Sequence, residues 1–139
     1  MRHVSAAIIR RQGKILICRR MAGGSCSRLW EFPGGKVQPE ETEEQCAVRE
    51  CREELAITIQ ICGEYARTSY SYPDGEIAFV FFDAKMANEQ EEPNAIVHEE
   101  IRWVSPAQLE RYTFCPADTD VLIRLTSEET RDELIGEEE

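Results

Sequence analysis

The stretch Gly35–Ile57, GKVQPEETEEQCAVRECREELAI, constrains this chain more than any other part of it. It leaves Pro33-Gly34-Gly35, a loop that cannot be helical, and enters a helical pattern from about Thr42 to Leu55 that contains neither Gly nor Pro. Thr42 and Gln45 have the spacing of a capping box, in which the hydroxyl caps the helix and the glutamine reaches back. At ~100° per residue, Glu50, Glu53 and Glu54 share about a quarter-turn of one helix face. Val48, Cys51 and Leu55 occupy the neighbouring face, which docks the helix on a core.

Carboxylates at i,i+3 and i,i+4 repel and cost a helix a few tenths of a kcal/mol per pair. A compensating charge is therefore expected. Clustered carboxylate oxygens are what hard cations such as Mg²⁺ and Mn²⁺ prefer, and such ions are commonly shared with substrate phosphates. A solvated acidic face would need no ion. The helix alone leaves both readings open.

Composition narrows the choice. A chain of 139 residues, 42% of them hydrophobic, is long enough for one domain with a core and too short for two comfortable ones. The formal net charge of −11 argues against a nucleic-acid polymer as partner, because such a ligand calls for a basic face. A small phosphate-bearing molecule fits if cations and a few arginines neutralise it locally. The six cysteines, Cys18, Cys26, Cys46, Cys51, Cys62 and Cys115, show no C-x2-C pair and no zinc spacing with His3 or His98. Met1-Arg2-His3 leads directly into a strand pattern, so no signal peptide is expected. The longest strongly apolar run, Ile77 to Phe82, is too short to span a membrane. Reduced thiols in a cytoplasmic protein, with no membrane partner, is the expectation.

Along the chain, Val4 to Arg10 and Ile15 to Arg20 read as strands joined by a Gln12-Gly13 hairpin. Met21 to Arg28 reads as a mobile surface loop, and Leu29 to Gly35 follows it, ending in the Pro33-Gly34-Gly35 loop. After the helix, Ile57 to Ile61, Tyr65 to Tyr72 and Glu76 to Lys85 read as strands, with a turn at Tyr72-Pro73-Asp74-Gly75. Glu99 to Val104 is a short strand and Pro106 to Arg111 a helical turn. Asp118 is placed to cap a closing helix from about 118 to 134. Strands on both sides of one helix, with a second helix at the end, suggest an α/β chain with a mixed sheet covered on its faces.

Gly35, Glu41, Arg49, Glu50, Glu53 and Glu54 stand at the spacing G-x5-E-x7-R-E-U-x-E-E-x-G-U, where U is bulky and apolar, with Cys51 and Ile57 at the two apolar positions. This resembles the signature of the Nudix hydrolases, and LWEFPGG at Leu29–Gly35 is similar to the segment before that signature in MutT-like members. Ala56 departs from the pattern, standing where the family has a glycine that ends the helix in a left-handed turn. The resemblance implies an α/β/α sandwich spanning 1–139 as a single domain.

It also implies an enzyme that hydrolyses phosphoric anhydrides with Mg²⁺ or Mn²⁺. On that pattern Glu50, Glu53, Glu54 and the Gly35 carbonyl are the expected metal ligands. Arg49 orients a glutamate, Glu41 ties loop to helix, and Glu53 is the expected base. Glu99 or Glu100 could add a ligand or the base, although the glutamate often found there in MutT-like chains falls at Val97. Arg20 is expected on phosphate, Phe32 and Tyr72 beside the base, and Asp118 on the base edge. An ionised Asp118 would accept hydrogen bonds only. That suits cytosine or oxidised guanine and disfavours thymine. The favoured reading is a nucleoside triphosphate pyrophosphohydrolase, monomer or homodimer, cutting between the α and β phosphates. Another diphosphate substrate, such as a nucleotide sugar or dinucleotide, and a non-catalytic nucleotide sensor are the alternatives.

Overall fold

The computed structural model describes the backbone of residues 2–138 and the side chains of residues 2–128. Strands β1 (Arg2–Arg11) and β2 (Lys14–Arg19) form the expected hairpin. Gln12 and Gly13 both adopt left-handed backbone, φ 52° and 77°, as a two-residue hairpin turn requires. Two short strands follow, β3 (Trp30–Glu31) on β2 and β4 (Gly34–Lys36) on β1, the second including Gly34 and Gly35 of the segment read as loop. Gly34 makes the second pairing possible: a Cβ there would lie 2.2 Å from the Ser5 carbonyl oxygen and 2.6 Å from Ala6 Cα.

Helix α1 (Glu43–Leu55) follows with its capping box in place, Thr42 Oγ1 accepting from Gln45 N–H at 3.0 Å and Gln45 Oε1 from Thr42 N–H at 2.9 Å. Its C-cap, Ala56, is left-handed at φ 57° and donates its N–H to the Arg52 carbonyl at 3.0 Å. The turn is therefore the one a glycine would make, at a cost of roughly 1 kcal/mol for the extra Cβ.

Residues read as two strands after α1 form one, β5 (Ile59–Tyr72), which pairs antiparallel with β6 (Gly75–Met86). Register shifts at Ile61/Gly63 and Glu64/Ala66 absorb the irregular pattern that made this segment look broken. β6 runs parallel to β1 from Arg2↔Ile77 to Arg10↔Lys85, and β7 (Glu100–Val104) pairs with β2. A 3-10 turn (Pro106–Arg111), a second (Pro116–Asp118) and helix α2 (Thr119–Glu138) complete the chain.

Alternation along β1 and β6 sorts the core into two layers. Ala7, Ile9, Val80 and Phe82 point to one face, where Ala47, Cys51 and Leu55 of α1 cover them. Ala6, Ile8 and Phe81 point to the other, against Leu109, Val121 and Leu125. The mixed sheet thus lies between two helical layers, an α/β/α sandwich. Among the described residues all six cysteines are free, and no helix is long and apolar enough to cross a membrane.

Candidate active site

The β3–β4 turn carries the chain over the end of the sheet, and α1 returns its acidic face beside it. A cleft of about 330 Å³ opens there, walled by residues from most of the length of the chain. Arg20, Phe32, Gly35, Glu54, Tyr72 and Asp118, singled out from the sequence, all line it. Glu50, Glu53 and Arg49 lie on the neighbouring turns of α1.

Arg49 organises the acidic face. Its Nε and Nη2 donate to both oxygens of Glu41, at 2.7 and 3.0 Å, and its Nη1 donates to Glu50 Oε1 at 2.8 Å and Glu53 Oε2 at 3.1 Å. Nη2 also reaches the Lys36 carbonyl at 3.2 Å, and Gln38 N–H donates to Glu41 at 3.0 Å. Loop and helix are therefore tied together as expected of Glu41. Arg49 and the Gln38 amide hold the Glu41 carboxylate down to about 2.

Gly35 sits directly on Glu50: a Cβ would come within 2.4 Å of its carboxyl carbon. Glu54 turns inward, where burial, then Glu31 and Glu50, push it up to about 8. Its Oε2 is buried with no hydrogen-bond partner among the described residues. Among those residues no three carboxylate, thiol or imidazole side chains already converge as a chelate, since Arg49 takes up oxygens of Glu50 and Glu53. The donor set still suits a hard cation: an orphaned carboxylate oxygen, two neighbouring carboxylates and a backbone carbonyl beside a bare Cα.

Glu99 is not brought to this group. It accepts from Arg28 at 3.1 Å and pairs with Arg19 at 3.5 Å, outside the cleft lining. Phe32 is both core and wall, only 4% exposed and packed on Phe114 and Phe81 at ring-centroid distances of 5.4 and 6.1 Å. Tyr72 stands across the cleft, edge-on to Tyr70.

Asp118 corrects an expectation. It is buried at the end of the second 3-10 turn, directly before α2, and its Oδ2 has no partner among the described residues. Burial and the nearby Glu31 carboxylate raise it well above the ordinary range, which favours the protonated form. A neutral carboxyl both donates and accepts. It matches the adjacent N3 and N4–H of cytosine, but also the O4 and N3–H of thymine. The exclusion of thymine expected of an ionised group does not follow.

The cleft residue Glu31 and the buried His98 behind it escaped the sequence reading. Glu31 accepts from Arg20 Nη1 at 3.0 Å and contacts His98 Nε2 at 2.9 Å. A lone acid between two buried aromatics of LWEFPGG was the available signal for Glu31. Nothing in the local sequence marks His98, which the fold alone brings to it.

A mixed sheet between helical layers, with a carboxylate-bearing helix beside a nucleotide-sized cleft, defines a Nudix-type hydrolase. The chain belongs to that family: the NUDIX domain model matches residues 1–125. It is 38% identical over 129 residues to the CTP pyrophosphohydrolase of Escherichia coli (strain K12), covering 88% of this chain and 89% of that one. It is 36% identical over 127 residues to the 8-oxo-dGTP diphosphatase of Haemophilus influenzae, covering 90% and 91%. The solution structure of the E. coli ORF135 protein superposes with a TM-score of 0.79 at 35% identity, over 91% of this chain and 89% of that one. The protein is a hydrolase acting on phosphoric anhydrides.

Proposed function

We propose that the protein is a Mg²⁺- or Mn²⁺-dependent nucleoside triphosphate pyrophosphohydrolase, acting on cytosine or oxidised guanine nucleotides to give a monophosphate and pyrophosphate. The observation that carries this reading is that one cleft is lined both by Glu54 and Gly35 and by Tyr72 and Asp118. A base read by Asp118 would extend its phosphates toward the helix carboxylates. The activities named for the relatives from E. coli and H. influenzae support the same substrate class.

The Gly35 carbonyl, Glu50, Glu53 and Glu54 would hold the ion. Glu99 would have to leave Arg28 and Arg19 to join them. When bound, the ion supplies charge neutralisation on the phosphates and a lowered pKa for water. Glu53, at 58% the most exposed of the three carboxylate partners of Arg49, would accept the proton of the attacking water. Arg49 keeps Glu50 and Glu53 turned toward one another by charge-assisted bonds. Arg20 would neutralise a substrate phosphate, and Phe32 would exclude water from one wall. A small-molecule nucleotide in the cytoplasm, with no nucleic-acid polymer, accords with the net charge of −11. Pyrophosphate release assayed across the standard, oxidised and methylated nucleoside triphosphates tests the reading. A nucleotide sugar or dinucleotide that outcompetes every triphosphate would displace it.

A further inference from the structure

Arg20 reaches the cleft from the end of β2, half-exposed, and its guanidinium is not free to swing. Its Nη1 donates to Glu31 Oε1 at 3.0 Å, and its Nε is buried without a hydrogen-bond partner among the described residues. Glu31 is itself held from behind. Its other oxygen, Oε2, lies 2.9 Å from His98 Nε2, and because a carboxylate only accepts, the ring N–H donates. The His98 side chain is 3% exposed, so the ring touches no solvent that could replace it. The segment carrying His98 is pinned to the strand carrying Arg20, the Glu99 N–H donating to the Arg19 carbonyl at 2.9 Å. Glu31 is paired with the same strand through Cys18↔Glu31.

We infer that His98 is a positioning residue for nucleotide binding, fixing Glu31 so that Glu31 holds the Arg20 guanidinium in the wall of the cleft. The inference rests on the reading of Arg20 as a phosphate contact. Physically, a long arginine loses rotamer freedom when it binds, and a carboxylate already locked on its far side removes that loss before the ligand arrives. Glu31 alone could rotate about its own side chain. A buried imidazole with one donor aimed at it removes that freedom. His98 touches neither substrate nor reacting atoms.

The test is a double-mutant cycle on the intact protein, read as Kd for α,β-methylene-CTP by calorimetry. Arg20→Ala and His98→Leu are each expected to raise Kd about tenfold, and the double variant to match Arg20→Ala alone. His98→Gln, whose amide N–H can occupy the place of Nε2–H, is expected to restore wild-type Kd. Glu31→Gln supplies the same comparison from the other side should His98→Leu not fold. It is expected to weaken binding as Arg20→Ala does, and to add nothing to it. Additive effects of His98→Leu, or of Glu31→Gln, on the Arg20→Ala background overturn the inference. So does a His98→Gln variant as weak as His98→Leu. An Arg20→Ala variant with wild-type Kd overturns the phosphate reading of Arg20 itself, and this inference with it.

Discussion

Arg49 grips both oxygens of Glu41, at 2.7 and 3.0 Å, across the junction between the glycine loop and α1. The same guanidinium holds Glu50 and Glu53, so one arginine sets the geometry of the acidic face and anchors the loop that crosses it. The repulsion among the helix glutamates is thus met partly by an internal cation.

This pair predicts an acid limb of stability. Glu41 sits at about 2, below its ordinary 4.5, so its contribution is complete above about pH 4.5 and is lost as the pH falls toward 2. Glu41→Gln is expected to lower Tm at pH 7 and to flatten the loss of Tm between pH 4.5 and 2. Thermal melts of both proteins across that range check it. Parallel curves would remove Glu41 from the account.

Ala56 offers a stabilising change. It is exposed, and its φ of 57° is the left-handed conformation that a Cβ disfavours. Ala56→Gly relieves the strain but adds chain entropy to the unfolded state, so the expected gain is about 0.5–1 kcal/mol. Chemical denaturation measures it, with hydrolysis rates unchanged.

Asp118 is expected to cost stability at neutral pH. Its proton is held more tightly folded than unfolded, so its contribution is most favourable below the unfolded value of 3.8 and declines as the pH rises toward the raised folded value. Asp118→Asn should therefore raise Tm at pH 7, with the difference vanishing below about pH 4. Glu31, Arg20, Cys115 and Tyr72 line the cleft around it, and Glu31 is the charge that raises it. Ionisation would remove its donor and spoil the match to cytosine N3. The ratio of kcat/KM for CTP in wild type over Asp118→Asn should accordingly fall with rising pH. A flat ratio would leave Asp118 outside base recognition.

What could be read from the sequence follows from what is local. The capping box, the hairpin at Gln12-Gly13 and the acidic helix face are set by neighbours a few residues apart, and each stands in the structure as its spacing required. The bulges of β5 and the short strands at Trp30 and Gly34 depend on partners far along the chain, and so left little mark on the local pattern. In the cleft, Arg20, Phe32, Gly35, Glu54, Tyr72 and Asp118, chosen by residue type and spacing, share one lining. The protonation of Asp118 depends on burial and on Glu31, distant in sequence, and was invisible. The Glu31–His98 contact joins residues separated by 67 positions.

In the proposed reaction the α1 carboxylates drive hydrolysis between the α and β phosphates of a nucleoside triphosphate. The most direct measurement follows CTP and its products over time with Mg²⁺ present, in wild type, Glu53→Gln and Glu54→Gln. Wild type should release CMP and pyrophosphate in equal amounts, and each variant should fold normally yet turn over slower by about 10²-fold or more. CDP with orthophosphate as the products, or near-normal turnover in either variant, would contradict it.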